Sequence, residues 1–131
     1  MTNKLGRLAP DLKEAAMDFL RLTASGSVRE AYGRYVRSGF RHHNPFFHGD
    51  AESLMVAMEE NAAANPETNL EVQRALREGD LVAVHSWIRQ SPQDPGASVV
   101  HIFRFQGDLI AEAWDVSQPV PEDSPNEHGL F

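Results

Sequence analysis

Gly79-Asp80-Leu81-Val82-Ala83-Val84-His85-Ser86-Trp87-Ile88 is the stretch on which the fold turns. Gly-Asp is a tight-turn pair. The run after it is rich in valine, with isoleucine and tryptophan, which is the composition of a strand. Apolar residues fall on both parities, so both faces of this strand, Leu81 to Gln90, are expected to be covered. Upstream, Leu70, Val72 and Leu76 alternate with Glu71, Gln73 and Arg77, which predicts a partner strand before the turn. Downstream, Ser91-Pro92-Gln93-Asp94-Pro95-Gly96 reads as a loop and Ser98 to Phe105 as a third strand. Gly107-Asp108 is a second tight turn, and Leu109 to Gln118 is the last long strand. Strands joined by such turns form an antiparallel meander.

Ahead of residue 70 the period is helical. Leu12, Ala15, Ala16, Phe19 and Leu22 recur at helical spacing, Pro10 and Asp11 suit a first turn, and Gly26 suits an end. Ser27-Val28-Arg29-Glu30 reads as a capping box opening a second helix, which carries Ala31, Tyr32, Tyr35 and Val36 and is expected to stop near Gly39. Phe40 to Gly49 is expected to be irregular. Asp50 is expected to cap a third helix to about Ala63, with Leu54, Met58 and Ala62 on its inner face. Three helices followed by an antiparallel sheet is an α+β order. The helices must cover one sheet face, and a curved sheet closed by helices leaves a concave space of the kind that binds small molecules. The tail from Pro119 is proline-rich and polar until Leu130 and Phe131. It is expected to run over the surface and to dock those two residues on the body or on a partner subunit.

The chain has 131 residues, enough for one domain with a core and too few for two, so 1–131 is read as a single domain. Hydrophobic residues at 41% and charged residues at 24% exclude a disordered chain. No run is long enough to cross a bilayer, and Met1-Thr2-Asn3-Lys4 leads into a charged stretch without the apolar core of a secretory signal. The absence of cysteine excludes disulfides and thiolate metal sites and fits a cytoplasmic setting. A net charge of -7 with no basic stripe argues against nucleic acid as a partner.

Asp115 is the most informative single residue. It lies in Ala111-Glu112-Ala113-Trp114-Asp115-Val116, deep in the last strand, where carboxylates are depleted and costly to bury. A carboxylate in a pocket there can take a proton from carbon next to a carbonyl. Ala111 and Ala113 share its parity and leave room beside it. The competing reading is a cross-strand ion pair with Arg89 or Arg104. Trp114 has the opposite parity and suits either the core or a subunit interface. A buried His85 would need a partner, supplied by a pocket, by a structural hydrogen bond or by a dimer contact. His101, in Val99-Val100-His101-Ile102-Phe103, carries the same ambiguity. In His43-Asn44-Pro45 the proline biases Asn44 toward extended backbone, so His43 and Asn44 can point in different directions, one of them inward. A plain turn whose side chains satisfy backbone groups is the alternative. His42 and His48 are expected to face solvent. Two histidines and a carboxylate can form a metal triad, but these come from separate elements without the short spacing of a metal signature, so no metal ligand is assigned. There is no glycine-rich phosphate loop and no nucleophile elbow.

Taken together, these residues resemble the SnoaL-like branch of the nuclear transport factor 2-like superfamily, especially bacterial proteins described as aldol-condensation enzymes. The matching stretches are Phe40-Arg41-His42-His43-Asn44-Pro45, Asn65-Pro66-Glu67-Thr68, Glu78 to Ser86, Phe103 to Asp108, and Trp114-Asp115-Val116-Ser117-Gln118-Pro119. They span nearly the whole chain, and their order and spacing carry the likeness. The branch often has Tyr-x-Gln-His-Asn-Pro where this chain has Phe40 to Pro45, and a histidine where it has Ala113. The resemblance implies a cone-shaped α+β barrel, three N-terminal helices packed on a curved and mainly antiparallel sheet. It also implies a homodimer through the outer sheet face and cofactor-free acid–base chemistry.

On that resemblance Asp115 is expected to be the acid–base, with His85 and His43 as catalytic partners that orient or polarise a substrate oxygen. Asn44, Trp87, Trp114, His101 and Gln118 are expected to contact the substrate, a small organic molecule. The expected reaction is an aldol condensation, a cyclisation or an isomerisation. Two other readings stay open: a binding or regulatory module that uses the same cavity without turnover, and a structural dimer whose cavity is filled by side chains.

Overall fold

The computed structural model describes residues 11–131, so Pro10 and the stretch from Met1 to Lys4 lie outside the described residues. The elements run α1 (Leu12–Ala24), α2 (Val28–Tyr35), β1 (Val36–His42), α3 (Ala51–Ala64), β2 (Asn69–Glu78), β3 (Leu81–Arg89), β4 (Ala97–Gln106) and β5 (Leu109–Pro119). Asp11 caps α1 by accepting from the N–H groups of Lys13 and Glu14, and the helix buries Leu12, Ala16, Phe19, Leu20 and Thr23 on one side. Asp50 caps α3 by accepting from the N–H of Ser53 at 2.9 Å.

Two local readings are corrected. Ser27 stands at the N-cap of α2 but makes no side-chain capping bond. Glu30 does not reach back either; it pairs with Arg34 one turn on, at 3.6 Å. Nor does α2 run to Gly39. It ends at Tyr35, where Val36 turns extended (φ -106, ψ 130), and residues 36–42, expected to be helix end and the start of the irregular segment, form β1, while residues 43–49 are irregular as expected. β1 lies parallel to β5, with Val36 opposite Ile110 and His42 opposite Ala113. Between these pairs it bulges, and Gly39 adopts φ +80 inside the bulge. A glycine at positive φ marks a helix end and a strand bulge equally well.

The sheet order is β1-β5-β4-β3-β2, with every neighbouring pair antiparallel except β1 with β5. The two hairpin turns carry Gly79 and Gly107 at φ +60 and +64. The result is a curved, open α+β cone. Its inner face presents Val82, Val84 and Ser86 from β3, Val99, Phe103 and Phe105 from β4, and Ile110 and Ala113 from β5. Phe19 of α1 packs edge-on against Phe103 (5.7 Å, 79°) and tilted against Tyr32 (5.4 Å), and Tyr32 meets Phe40 of β1 at 6.3 Å. The aromatic chain joins α1, α2, β1 and β4.

The outer sheet face has no helix over it. Leu76, Leu81 and Val116 are exposed there. The tail returns across this face, and the Phe131 ring lies over His85 (5.7 Å) and Trp87 (5.3 Å). No described helix is long and apolar enough to cross a membrane.

Candidate functional site

A cavity of about 60 Å³ lies between the inner sheet face and the helices. Its apolar wall comes from Phe19 of α1, Phe40 of β1, Leu54 and Met58 of α3, and Phe103 and Ala113 of the sheet. Its polar groups are His42, Asn44, His101 and Asp115, and Trp114 stands at its edge.

Asp115 and His101 are directly opposite one another in the β4–β5 register. Residues opposed across an antiparallel pair point to the same face with their Cβ atoms about 5 Å apart. Asn44 holds the carboxylate: its Nδ2 donates to Asp115 Oδ2 at 3.3 Å, while its Oδ1 accepts from the Phe46 N–H at 3.0 Å. Those two bonds fix which way round the Asn44 amide sits. The segment is tied to β5 by the His43 N–H, which donates to the Ala113 carbonyl at 3.0 Å.

His101 is stacked on Phe103 (5.9 Å, 3°). Its Nδ1 is buried and has no hydrogen-bond partner. Burial pushes the His101 imidazole down to about 4, against the opposing pull of the Asp115 charge. At neutral pH it is therefore uncharged, with one nitrogen able to donate and the other able to accept. His42 is buried rather than solvent-facing, which corrects the sequence expectation. Both its nitrogens are engaged: Nδ1 accepts from the Asn44 N–H at 3.1 Å, so Nε2 carries the hydrogen and donates to the His48 carbonyl at 2.6 Å. His42 shapes the loop that presents Asn44.

His43 does not reach the cavity. Phe40 and His42 take the buried positions of β1, which sends Arg41 outward; His43 follows on the outer side. There His43 Nε2 donates to Glu112 Oε2 at 2.6 Å, and its ring lies flat on Trp114 (5.0 Å, 4°). Glu112, which the sequence reading passed over, also accepts from Arg41 at 3.0 and 3.3 Å and from Arg104 at 3.1 Å. The bonds from Arg41 and His43, with Arg104 assisting, outweigh burial and hold its carboxyl down to about 2. Arg104, considered above as a partner for Asp115, is thus taken by Glu112. The signal for Glu112 was the same as for Asp115, a carboxylate inside a strand.

His85 also lies on the outer face. The buried parity of β3 is Val82, Val84 and Ser86, so His85 and Trp87 face the other way. His85 Nε2 is 2.8 Å from Ser98 Oγ, and its Nδ1 meets Arg74. Burial, with the Arg74 charge, lowers the His85 pKa. Trp87 donates from Nε1 to the Pro95 carbonyl at 2.9 Å, and the Arg89 guanidinium sits 4.1 Å from its ring centroid. Gln118 is exposed near the end of β5, opposite Ser98. The cavity therefore collects Asp115, Asn44, His101 and the edge of Trp114, and it leaves out His43, His85, Trp87 and Gln118. Among the described residues no three His, Asp or Glu side chains are spaced to hold a metal ion.

No protein-family model and no curated protein matches the sequence. The structure is similar to many solved ones. A SnoaL-like protein of unknown function from Burkholderia thailandensis superposes with a TM-score of 0.69 at 15% identity, covering 82% of this chain and 93% of that one. A nuclear transport factor 2-like protein of unknown function from Cytophaga hutchinsonii gives 0.68 at 13% identity, covering 86% and 94%. A proposed polyketide cyclase from Bacillus cereus gives 0.70 at 20% identity, covering 82% and 74%. The chain has the fold of the SnoaL-like, nuclear transport factor 2-like structures.

Proposed function

We propose that the cavity binds a small organic molecule with a carbonyl group and that Asp115 serves there as a cofactor-free acid–base on the neighbouring carbon. Asp115 takes the proton. The uncharged His101 faces the developing enolate oxygen and donates a hydrogen bond to it. Asn44 positions the carboxylate. The enolate then adds to a second carbonyl, in a condensation or cyclisation, or is reprotonated elsewhere, in an isomerisation. The observation that carries this reading is the pairing of Asp115, held by Asn44, with an uncharged imidazole on the same face of an apolar chamber. The neighbouring fold of a proposed polyketide cyclase agrees with it.

The test is α-proton exchange of a panel of ketones and β-dicarbonyls in deuterium oxide, followed by NMR. The parent should exchange them faster than buffer, and Asp115→Asn should lose about 10²- to 10⁴-fold while still binding them. No exchange by the parent on any member would leave a second reading in place, a binding module without turnover. The small volume of the cavity bears on the structural reading, a cavity filled by side chains, rather than on this one. For the assembly we propose a homodimer through the outer sheet face, where Leu76 and Val116 are 65% and 70% exposed.

A further inference from the structure

The chamber around Asp115 adjoins a second one. A partly open pocket of about 150 Å³ lies beside it, with Leu20, Leu70 and Ile88 as apolar walls, Thr23 and Thr68 as polar ones and the exposed Asn61 at its rim. Met58 and His101 belong to the walls of both cavities. This pair of side chains, one from α3 and one from β4, therefore stands between the two spaces. We propose that Met58 is a movable partition, and that the ligand is an elongated carbonyl compound whose reactive end sits at Asp115 while its alkyl tail passes Met58 into the second chamber. This inference rests on the reading of the first chamber given above.

Size is the first argument. The first chamber holds about 60 Å³. An apolar cavity of roughly 150 Å³ is what admits a benzene molecule, and ligand pockets commonly measure about 300 Å³ or more. The first chamber alone holds only the end of a molecule, and the adjoining space supplies room for the rest.

The second argument is the nature of the partition. Methionine is unbranched and has three rotatable bonds, so it changes shape more cheaply than other core side chains. Met58 is tied by a hydrogen bond from the Tyr32 hydroxyl to Sδ at 3.4 Å. A thioether is a weak acceptor, so the tie breaks easily. His101 is fixed by comparison, within β4 and stacked on Phe103. His101, which lines both spaces, also has a buried polar atom without a partner, Nδ1. A buried polar group left unpaired is costly, and a hydroxyl or carbonyl of a ligand passing between the two spaces would satisfy it.

The experiment is a titration of straight-chain methyl ketones from acetone to decanone, followed by amide chemical shifts, on the parent, Met58→Ala, Met58→Phe and Asp115→Asn. Each methylene buried in the second chamber should tighten binding to the parent by roughly threefold to fourfold. Met58→Phe should cost decanone at least about tenfold more than butanone, because the rigid ring blocks the passage. Met58→Ala should keep or steepen the dependence on length, and it serves in place of Met58→Phe if the larger side chain prevents folding. Asp115→Asn should abolish α-exchange and leave the trend with length intact. Affinity independent of length in the parent and in Met58→Ala would overturn the partition while leaving the first chamber as a site. So would an equal loss for all ketones in Met58→Phe. Binding of no ketone by any of the four proteins would overturn both.

Discussion

His101 shows what burial does to a single ionisable side chain. It is held uncharged because the charged form would lose its hydration, and the Asp115 carboxylate opposite compensates only in part. Its pKa falls from 6.5 in an unfolded chain to about 4 in the native one. Between those values the unfolded state binds more protons than the folded state, so stability falls as the pH drops through that window. Thermal unfolding should show the midpoint descending from pH 6.5 toward pH 4 by an amount on the order of 3 kcal/mol in stability. His101→Phe should flatten the descent to the smaller part that His85, also lowered by burial, contributes. An unchanged slope in that variant would mean His101 does not carry the effect. Glu112 acts in a lower window: its depressed carboxyl adds stability above its unfolded value of 4.5, which is lost as the pH falls toward 2. The two windows overlap only around pH 4 to 4.5.

At the scale of elements, the helix starts separate what a motif promises from what a side chain does. Asp50 and Ser27 both occupy N-cap positions, yet Asp50 bonds the Ser53 N–H and Ser53 Oγ (2.9 and 2.7 Å) and Ser27 bonds nothing with its hydroxyl. Asp50→Ala should cost about 1 kcal/mol. Ser27→Ala should fall within about 0.5 kcal/mol of the parent, as for a surface change that removes no interaction. Denaturant midpoints on the two variants check the contrast, and equal losses would show that Ser27 caps in solution. The capping-box pattern at residues 27–30 was legible in the sequence. Its bonds were not, because Glu30 is drawn to Arg34. β1 was missed for a related reason. Its parallel partner β5 lies far along the chain, so Arg41 meets Glu112 across 71 positions. Nothing within a few residues of Val36 announces such a pairing, and Gly39 suggests a helix end instead.

For the whole molecule the two faces of the sheet differ in their cover. The inner face is covered by helices, with Phe19 packed against both Tyr32 and Phe103 of β4. The outer one keeps Leu76, Leu81 and Val116 exposed, and Phe131 covers only the part around His85 and Trp87. Sedimentation of the parent should give a dimer, and the double change Leu76→Arg with Val116→Arg should give a folded monomer. A parent that sediments as a monomer at all concentrations would sink the proposed assembly and leave the tail as the cover of this face.

The sequence alone determined the parts whose causes are local. Glycines at the hairpin turns, alternation in the strands and aspartates ahead of α1 and α3 act within a few residues, and they yielded three helices, four antiparallel strands and the boundaries of most of them. They also pointed to Asp115 and Asn44, which line the cavity. Which histidines join them was decided only by the tertiary structure. β3 and β4 carry apolar residues on both parities, so the pattern cannot tell the helix-covered face from the outer one. Packing of Phe19 against Phe103 put His101 inside with that face, and left His85 and His43 on the other side of the sheet, bonded to Ser98 and Glu112.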